Sequence, residues 1–418
     1  MARLDFYYDY ACPYAYLAST RVEALAARTG AELHYRPMLL GGVFQAIGAP
    51  SVPALGPAKA KQNLLDMSRW ADCFGVPLTM PATHPNRTVL ALRATLAAGT
   101  EGSALRKATR ALFDAYWAEG RDLSEPAVVR AALDGAGLDG EALVSRAEDP
   151  AIKAELRTRT EEAVSRGVFG APSFFVKGEA GPGELYWGQD RMDLVEIALG
   201  GRVDRPAATL PAPGAPPREL LFYFDFSSPF AYLAATQVAE VAARHGATLR
   251  YKPFLLGALF KAVGTNDVPL FTMPAAKRAH ALADMERWGR HLGVDMRFPS
   301  RFPMNTVKAL RMVLQVEGPR QAPFIDAVFR AFWAHDRDIN DDGVLAAIAG
   351  DVGLDGAALL AGAKEDTVKL RLKEATEEAQ RRGLFGAPSF LVGDLLFWGQ
   401  DRLPLVEKAL EGWRPRGE

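Results

Sequence analysis

Residues 5–20, DFYYDYACPYAYLAST, and residues 221–236, LFYFDFSSPFAYLAAT, align without a gap at an offset of 216. Each stretch begins as a short aromatic run suited to a buried strand, Leu4–Tyr8 or Leu220–Phe224. Each then reaches a proline, Pro13 or Pro229, at the position where a helix opens and proline is favoured. The same offset pairs 160–176, TEEAVSRGVFGAPSFFV, with 376–392, TEEAQRRGLFGAPSFLV, where 13 of 17 positions are identical. Average residue usage would give roughly one match by chance. Trp187-Gly188-Gln189-Asp190-Arg191 likewise recurs as Trp398-Gly399-Gln400-Asp401-Arg402. A repeat this long is no solenoid unit. The chain reads as one domain written twice.

Working outward, the helix after each proline runs to about Gly30 or Gly246, and a strand follows at Glu32–Arg36 or Thr248–Lys252. Long stretches, roughly 55–165 and 273–381, are rich in Ala, Leu, Arg and Glu at helical spacing. Short strands come next around Ser173–Val176 and Leu185–Trp187, then a closing helix from Asp190. The expected class is α/β, two tandem domains of order βαβ, helices, ββα. The expected boundaries are 1–203 and 218–418, joined by a linker at 204–217 whose 206–217 segment, PAATLPAPGAPP, favours extended polyproline conformation.

Composition narrows the function. The 418 residues carry 49 basic and 50 acidic side chains, net −1, so no whole-protein attraction to a polyanion is expected. No apolar run approaches the ~18–20 residues of a membrane span. The opening Met1–Asp9 reads as a strand, without a signal-peptide core. Two cysteines, Cys12 and Cys73, make no disulfide framework. A cytoplasmic protein without nucleic-acid or membrane partners is the expectation. The six histidines show no metal-ligand spacing, and no phosphate-binding glycine loop is present.

Cys12 and Ser228 occupy equivalent positions just before the helix-opening proline. A group there faces free backbone N–H donors and the positive end of the helix dipole, so a thiol ionises more easily and a bound thiolate is stabilised. Serine there is also a preferred cap, and cysteine a small buried hydrophobe. Trp117, Trp333, Trp70 and Trp288 sit at helical positions and read first as core, second as a wall for an aromatic substrate. Arg121-Asp122 and Arg337-Asp338 read as structural ion pairs.

The element order, with [FY]-[FY]-D-[FY]-x-[SC]-P-[FY]-A-Y-L, G-x-F-G-A-P-S-F and W-G-Q-D-R-[ML], resembles the 2-hydroxychromene-2-carboxylate isomerase family. That family belongs with the kappa-class glutathione transferases and DsbA-like proteins of the thioredoxin-like superfamily. The resemblance spans almost all of each repeat. It implies that glutathione is bound, with no metal, and that a small conjugated aromatic acid is isomerised or conjugated. It implies that Ser228 hydrogen-bonds the glutathione sulfur. It also implies that Pro388 and Pro172 are cis, and that Ala387 and Ala171 pair their backbone with the cysteinyl unit. Gln400-Asp401 and Gln189-Asp190 match the dipeptide holding the γ-glutamyl end. Lys277 and Lys59 match a lysine near the glycyl carboxylate, and Asn266 an asparagine at the same site.

The copies differ. The first has Cys12 for Ser228, lacks an Asn266 equivalent, and has Arg87 where the second has Asn305. It also resembles a DsbA-like C-P-x-C site in which Ala15 stands for the second cysteine, leaving a monothiol oxidoreductase as the competing reading. Cys73 is the only remote thiol that could resolve a mixed disulfide. A third reading makes one repeat non-catalytic, a partner in an intrachain pseudo-dimer.

Overall fold

The computed structural model describes residues 2–49, 56–178, 182–203, 208, 218–265 and 268–418. Except for Ala208, the 204–217 linker lies outside the described residues. The chain forms two compact units. The first comprises Met1–Ala54, Met67–Arg205 and Pro274–His280; the second comprises Leu55–Asp66, Pro206–Met273 and Ala281–Glu418. Each unit therefore takes in a short segment from the other repeat.

The first unit holds β1 (Arg3–Tyr8), β2 (Glu32–Pro37), β3 (Ser173–Lys177) and β4 (Glu184–Trp187). The second holds β5 (Glu219–Phe224), β6 (Thr248–Pro253), β7 (Ser389–Val392) and β8 (Leu395–Trp398). The sheets have orders β2-β1-β3-β4 and β6-β5-β7-β8, the first pair parallel and the others antiparallel. This is the expected order of elements, helices filling the interval between β2 and β3 and between β6 and β7. β1 and β5 are inner strands covered on both faces, which is why they read as near-continuous apolar runs. On one face Phe6 stacks on Phe174 at 5.5 Å, and Phe222 on Phe390 at 5.4 Å.

The helix after Cys12 is broken where its copy is continuous. Pro13–Ser19 and Val22–Thr29 correspond to the single helix Pro229–Arg244. Ser19 replaces Ala235, and its hydroxyl donates to the Tyr16 carbonyl at 2.7 Å beside Thr20, which donates to Leu17. Adjacent side chains bonding back to the helix backbone weaken its ladder. Trp117 and Trp333 are fully buried, so they are core. The expected Arg-Asp pairs do not form. Arg121 pairs with Glu119, while Asp122 accepts from Ser124 and Thr83; Asp338 pairs with Arg301. Neighbouring residues on a turn point apart, and Arg121 and both aspartates bond other side chains or backbone groups.

The opposite face of β1 carries an ion cluster. Buried Asp5 accepts from Arg3 at 2.7 Å, Arg36 at 2.9 Å and Arg166 at 2.9 Å. Burial pushes its pKa up, but the hydrogen bonds and charges of Arg3 and Arg36 outweigh it and hold the carboxyl below its ordinary value. Replacing Asp5 by Ala is expected to destabilise the first unit by about 3 kcal/mol at pH 7, read by urea unfolding. With a depressed folded pKa, this contribution is present above the ordinary carboxylate pKa and is lost as pH falls through the folded value. Wild type and variant should therefore converge in acid; an equal gap at low pH would refute the assignment. At the same position β5 has Leu221.

Candidate active site

In the second unit, β5 leads through Asp225-Phe226-Ser227-Ser228 into the helix Pro229–Arg244. Three separate elements hold this turn. Buried Asp225 accepts from the Ser227 N–H at 3.0 Å, the Leu256 N–H at 2.8 Å and the Thr306 hydroxyl at 2.7 Å. The Ser228 N–H donates to the Asp225 carbonyl at 3.1 Å. The Trp333 indole donates to the Phe226 carbonyl at 2.8 Å. The first unit repeats the arrangement with Asp9, Ala11, Leu40, Thr88 and Trp117. Burial raises the pKa of both aspartates despite these donors.

Sequence reading assigned no role to Asp9, Asp225, Thr88 or Thr306. The available signal was an aspartate three residues before Cys12 and before Ser228, in both copies.

Ser228 does two things. Its Oγ accepts from the Ala231 N–H at 3.2 Å, capping the helix, and donates to the Ala387 carbonyl at 2.9 Å. The Ala387–Pro388 and Ala171–Pro172 bonds are both cis, as are His84–Pro85 and Phe302–Pro303, which the sequence reading did not anticipate. The cap residue, the residue before the cis-proline and the helix N-terminus thus meet at one point.

Cys12 takes the same place without capping its helix; its thiol donates to the Ala171 carbonyl at 3.0 Å. Burial, outweighing the N–H groups of Ala15 and Tyr14, pushes its pKa up to about 12. The helix terminus alone suggested a more acidic thiol; enclosure reverses that, because desolvation penalises the anion. Cys12 should therefore react with iodoacetamide at pH 7.5 about a hundredfold or more slowly than a cysteine in an unfolded peptide. Site-resolved mass spectrometry checks this, and rapid labelling of Cys12 would contradict it.

Gln400-Asp401-Arg402 forms a 3₁₀ turn after Gly399, whose φ is 107°; a Cβ there would collide with the Asp401 carboxylate. Gln400 is buried, and among the described residues neither its Nε2 nor its Oε1 has a hydrogen-bond partner. The matching Gln189 amide has its Oε1 3.3 Å from an Arg21 donor, while its Nε2 is unmatched. Arg402 reaches Asp401 at 3.0 Å and makes a two-point bond to Asp66 at 2.6 and 3.0 Å.

Asp66 belongs to the segment that the second unit takes from the first repeat. From the same segment Gln62 donates to the Leu396 carbonyl at 3.1 Å, and the Lys59 ammonium lies 5.4 Å from the Trp398 ring centre. In the first unit, Lys277 lies 5.2 Å from the Trp187 ring centre, and His280, the counterpart of Gln62, packs on Phe169 at 5.3 Å. Each predicted lysine thus stands beside the W-G-Q-D-R motif of the other repeat. Asn266 lies outside the described residues. Arg87 and Asn305 are exposed, one residue before the threonines that bind Asp9 and Asp225.

An aromatic surface flanks the second unit's turn. Phe302 lies 5.9 Å from Trp333, Phe298 lies 5.1 Å from Phe302, and Phe271 lies 6.0 Å from Phe302. Phe298 and Phe271 are exposed. The Tyr232 hydroxyl, one turn into the helix, ties this segment down through the Asp295 carbonyl at 2.9 Å. In the first unit, Met80 and His84 take the places of Phe298 and Phe302. Among the described residues, no helix is long and apolar enough to cross a membrane.

Comparison with known proteins gives a consistent picture. The model of the DSBA-like thioredoxin domain matches residues 3–200 and again 219–411. The 2-hydroxychromene-2-carboxylate isomerase of Sphingobium xenophagum is 33% identical over 189 residues, covering 45% of this chain and 96% of that protein. Glutathione S-transferase kappa 1 of Rattus norvegicus is 28% identical over 206 residues, 47% of this chain and 90% of its own. A solved 2-hydroxychromene-2-carboxylate isomerase superposes with a TM-score of 0.43 at 27% identity, covering 46% of this chain and 94% of its own.

Proposed function

Because the chain belongs to the DSBA-like thioredoxin domain family, once in each half, we propose that it is a glutathione-dependent isomerase or transferase of small conjugated aromatic acids. The observation that carries this reading is the Ser228 hydroxyl on the Ala387 carbonyl, with the buried, unmatched Gln400 amide next to Gly399, whose N–H donates to the Pro388 carbonyl at 3.0 Å. A γ-glutamyl head offers both donors and acceptors to such an amide, and burial of an unpaired amide is costly unless a ligand completes it. The residues present fit glutathione.

In this reading Ala387 would pair its backbone with the cysteinyl unit of glutathione. The Ser228 hydroxyl and the helix N-terminus would hold the sulfur and favour its anionic form. Asp401, held in place by Arg402, which Asp66 anchors, would hold the ligand's ammonium. Lys59 would hold the glycyl carboxylate. Bound glutathione supplies a thiolate able to add reversibly to a conjugated acid, and so to free a double bond to rotate. Phe298, Phe302 and Phe271 offer that acid a flat apolar wall.

The same reasoning assigns the activity to the second repeat. In the first, a protonated Cys12 replaces the serine, and Met80 and His84 replace the aromatic wall.

Calorimetry with reduced glutathione tests the reading on the full chain. Binding is expected, weakened about fivefold by Lys59→Met, together with glutathione-dependent turnover of 2-hydroxychromene-2-carboxylate. No heat of binding would overturn it.

A further inference from the structure

Far from Ser228, the second unit has a cavity of about 380 Å³ that the chemistry above does not use. Ser228 follows the C-terminal end of β5, whereas the cavity is lined by Glu219 at its first residue, roughly 20 Å away along the strand. Three arginines line it, Arg218, Arg382 and Arg414, together with Leu221 and the indole of Trp413.

The first repeat shows what belongs among such guanidinium groups. At the offset of 216, Leu221 corresponds to Asp5 and Arg382 to Arg166, and there Arg166 donates to the Asp5 carboxylate at 2.9 Å. In the second repeat this arginine persists and the carboxylate has become leucine, while Arg3, the first strand's own arginine on Asp5, is replaced by Glu219, which pairs with Arg250.

The acids that do reach the cavity's cations are already matched. Glu219 pairs with Arg250 at 3.1 Å, Glu378 with both Lys252 and Arg382, and Asp394 with Arg414. Four cations thus share three carboxylates. Arg218 directs Nη1 to the Ala409 and Leu410 carbonyls at 2.8 and 2.6 Å. Its guanidinium lies against Gly412, where φ is 105° and a Cβ would come within 2.9 Å of Nη2. The absence of a side chain at Gly412 therefore lets this cation lie over the helix end and line the cavity.

We propose that this cavity binds a small organic carboxylate, whose anionic group takes the role that Asp5 plays in the first unit. A planar carboxylate matches the forked donors of arginine. Leu221 and the Trp413 ring suit an apolar or aromatic body rather than a bare inorganic anion. The ligand sits at the end of the sheet remote from Ser228, so it is an effector or a second ligand rather than the reacting acid.

Titration of the full chain with benzoate, followed by calorimetry in the presence of saturating glutathione, tests this. Benzoate is expected to bind the wild type, and Arg382→Gln to weaken it about tenfold, as loss of a charge-assisted hydrogen bond does. Leu221→Asp, which rebuilds the first unit's internal carboxylate, is expected to abolish binding. Arg382→Gln is the decisive variant if Leu221→Asp does not fold. Turnover with glutathione should be unchanged in Arg382→Gln, since that residue is remote from Ser228. The proposal fails if benzoate does not bind, if Arg382→Gln binds it as the wild type does, or if inorganic phosphate binds as tightly and with the same variant dependence.

Discussion

Replacing Ser228 with alanine is expected to lower glutathione-dependent turnover about a hundredfold while the protein remains folded. The rate effect follows from removing a preorganised donor aimed at developing or resident negative charge, worth ~10²–10³ in comparable sites. The structural cost is far smaller. Ser228 caps a 16-residue helix through the Ala231 N–H, and loss of such a cap costs about 1 kcal/mol. Other ties also hold the turn, through Asp225 and Trp333. Steady-state kinetics beside a thermal melt separates the two effects. Full turnover in Ser228→Ala would remove the serine from the chemistry and point to the first repeat. Cys12→Ser offers the converse measurement: with the activity in the second repeat, it should leave turnover unchanged.

The second large effect concerns a residue that touches no ligand in this scheme. Asp225→Ala strips the partner from two backbone N–H groups and the Thr306 hydroxyl, all brought together under the turn. Each orphaned buried donor costs about 1–3 kcal/mol, so a loss of roughly 3 kcal/mol or more is expected in urea unfolding of the second unit. Because those donors fix the loop carrying Ser228, turnover should fall as well, and Asp225→Asn, which keeps one acceptor oxygen, should recover part of both. If Asp225→Ala unfolds like the wild type, the aspartate is not the anchor described here. Asp9→Ala should destabilise the first unit comparably and leave the second repeat's turnover intact.

Much of this architecture was legible because it is written twice. A strand run ending in a helix-opening proline is a local signal, and its recurrence at a constant offset separated it from coincidence. The doubling also singled out Cys12 and Ser228 as one position with two chemistries. Other roles depended on residues far apart in sequence. Thr306 lies 81 residues from the Asp225 it binds, and no periodicity links them. Cys12 illustrates the same point in energetic terms: helix position argued for an acidic thiol, but its burial, including the contact with Ala171 159 residues away, sets the opposite direction.

Sequence alone therefore determined the tandem α/β architecture, the strand and helix order of each copy, and the short list of residues at the turn before the helix. Those follow from side-chain period and from proline and glycine geometry, which act over a few residues. Tertiary structure decided that Lys59 stands beside Trp398 and Lys277 beside Trp187, that Asp9 and Asp225 anchor their turns, and that Cys12 rests protonated. It also decided that the leucine replacing Asp5 lines a cavity among arginines. Desolvation and hydrogen-bond partnership depend on what folding brings alongside a residue, and no local pattern carries that information.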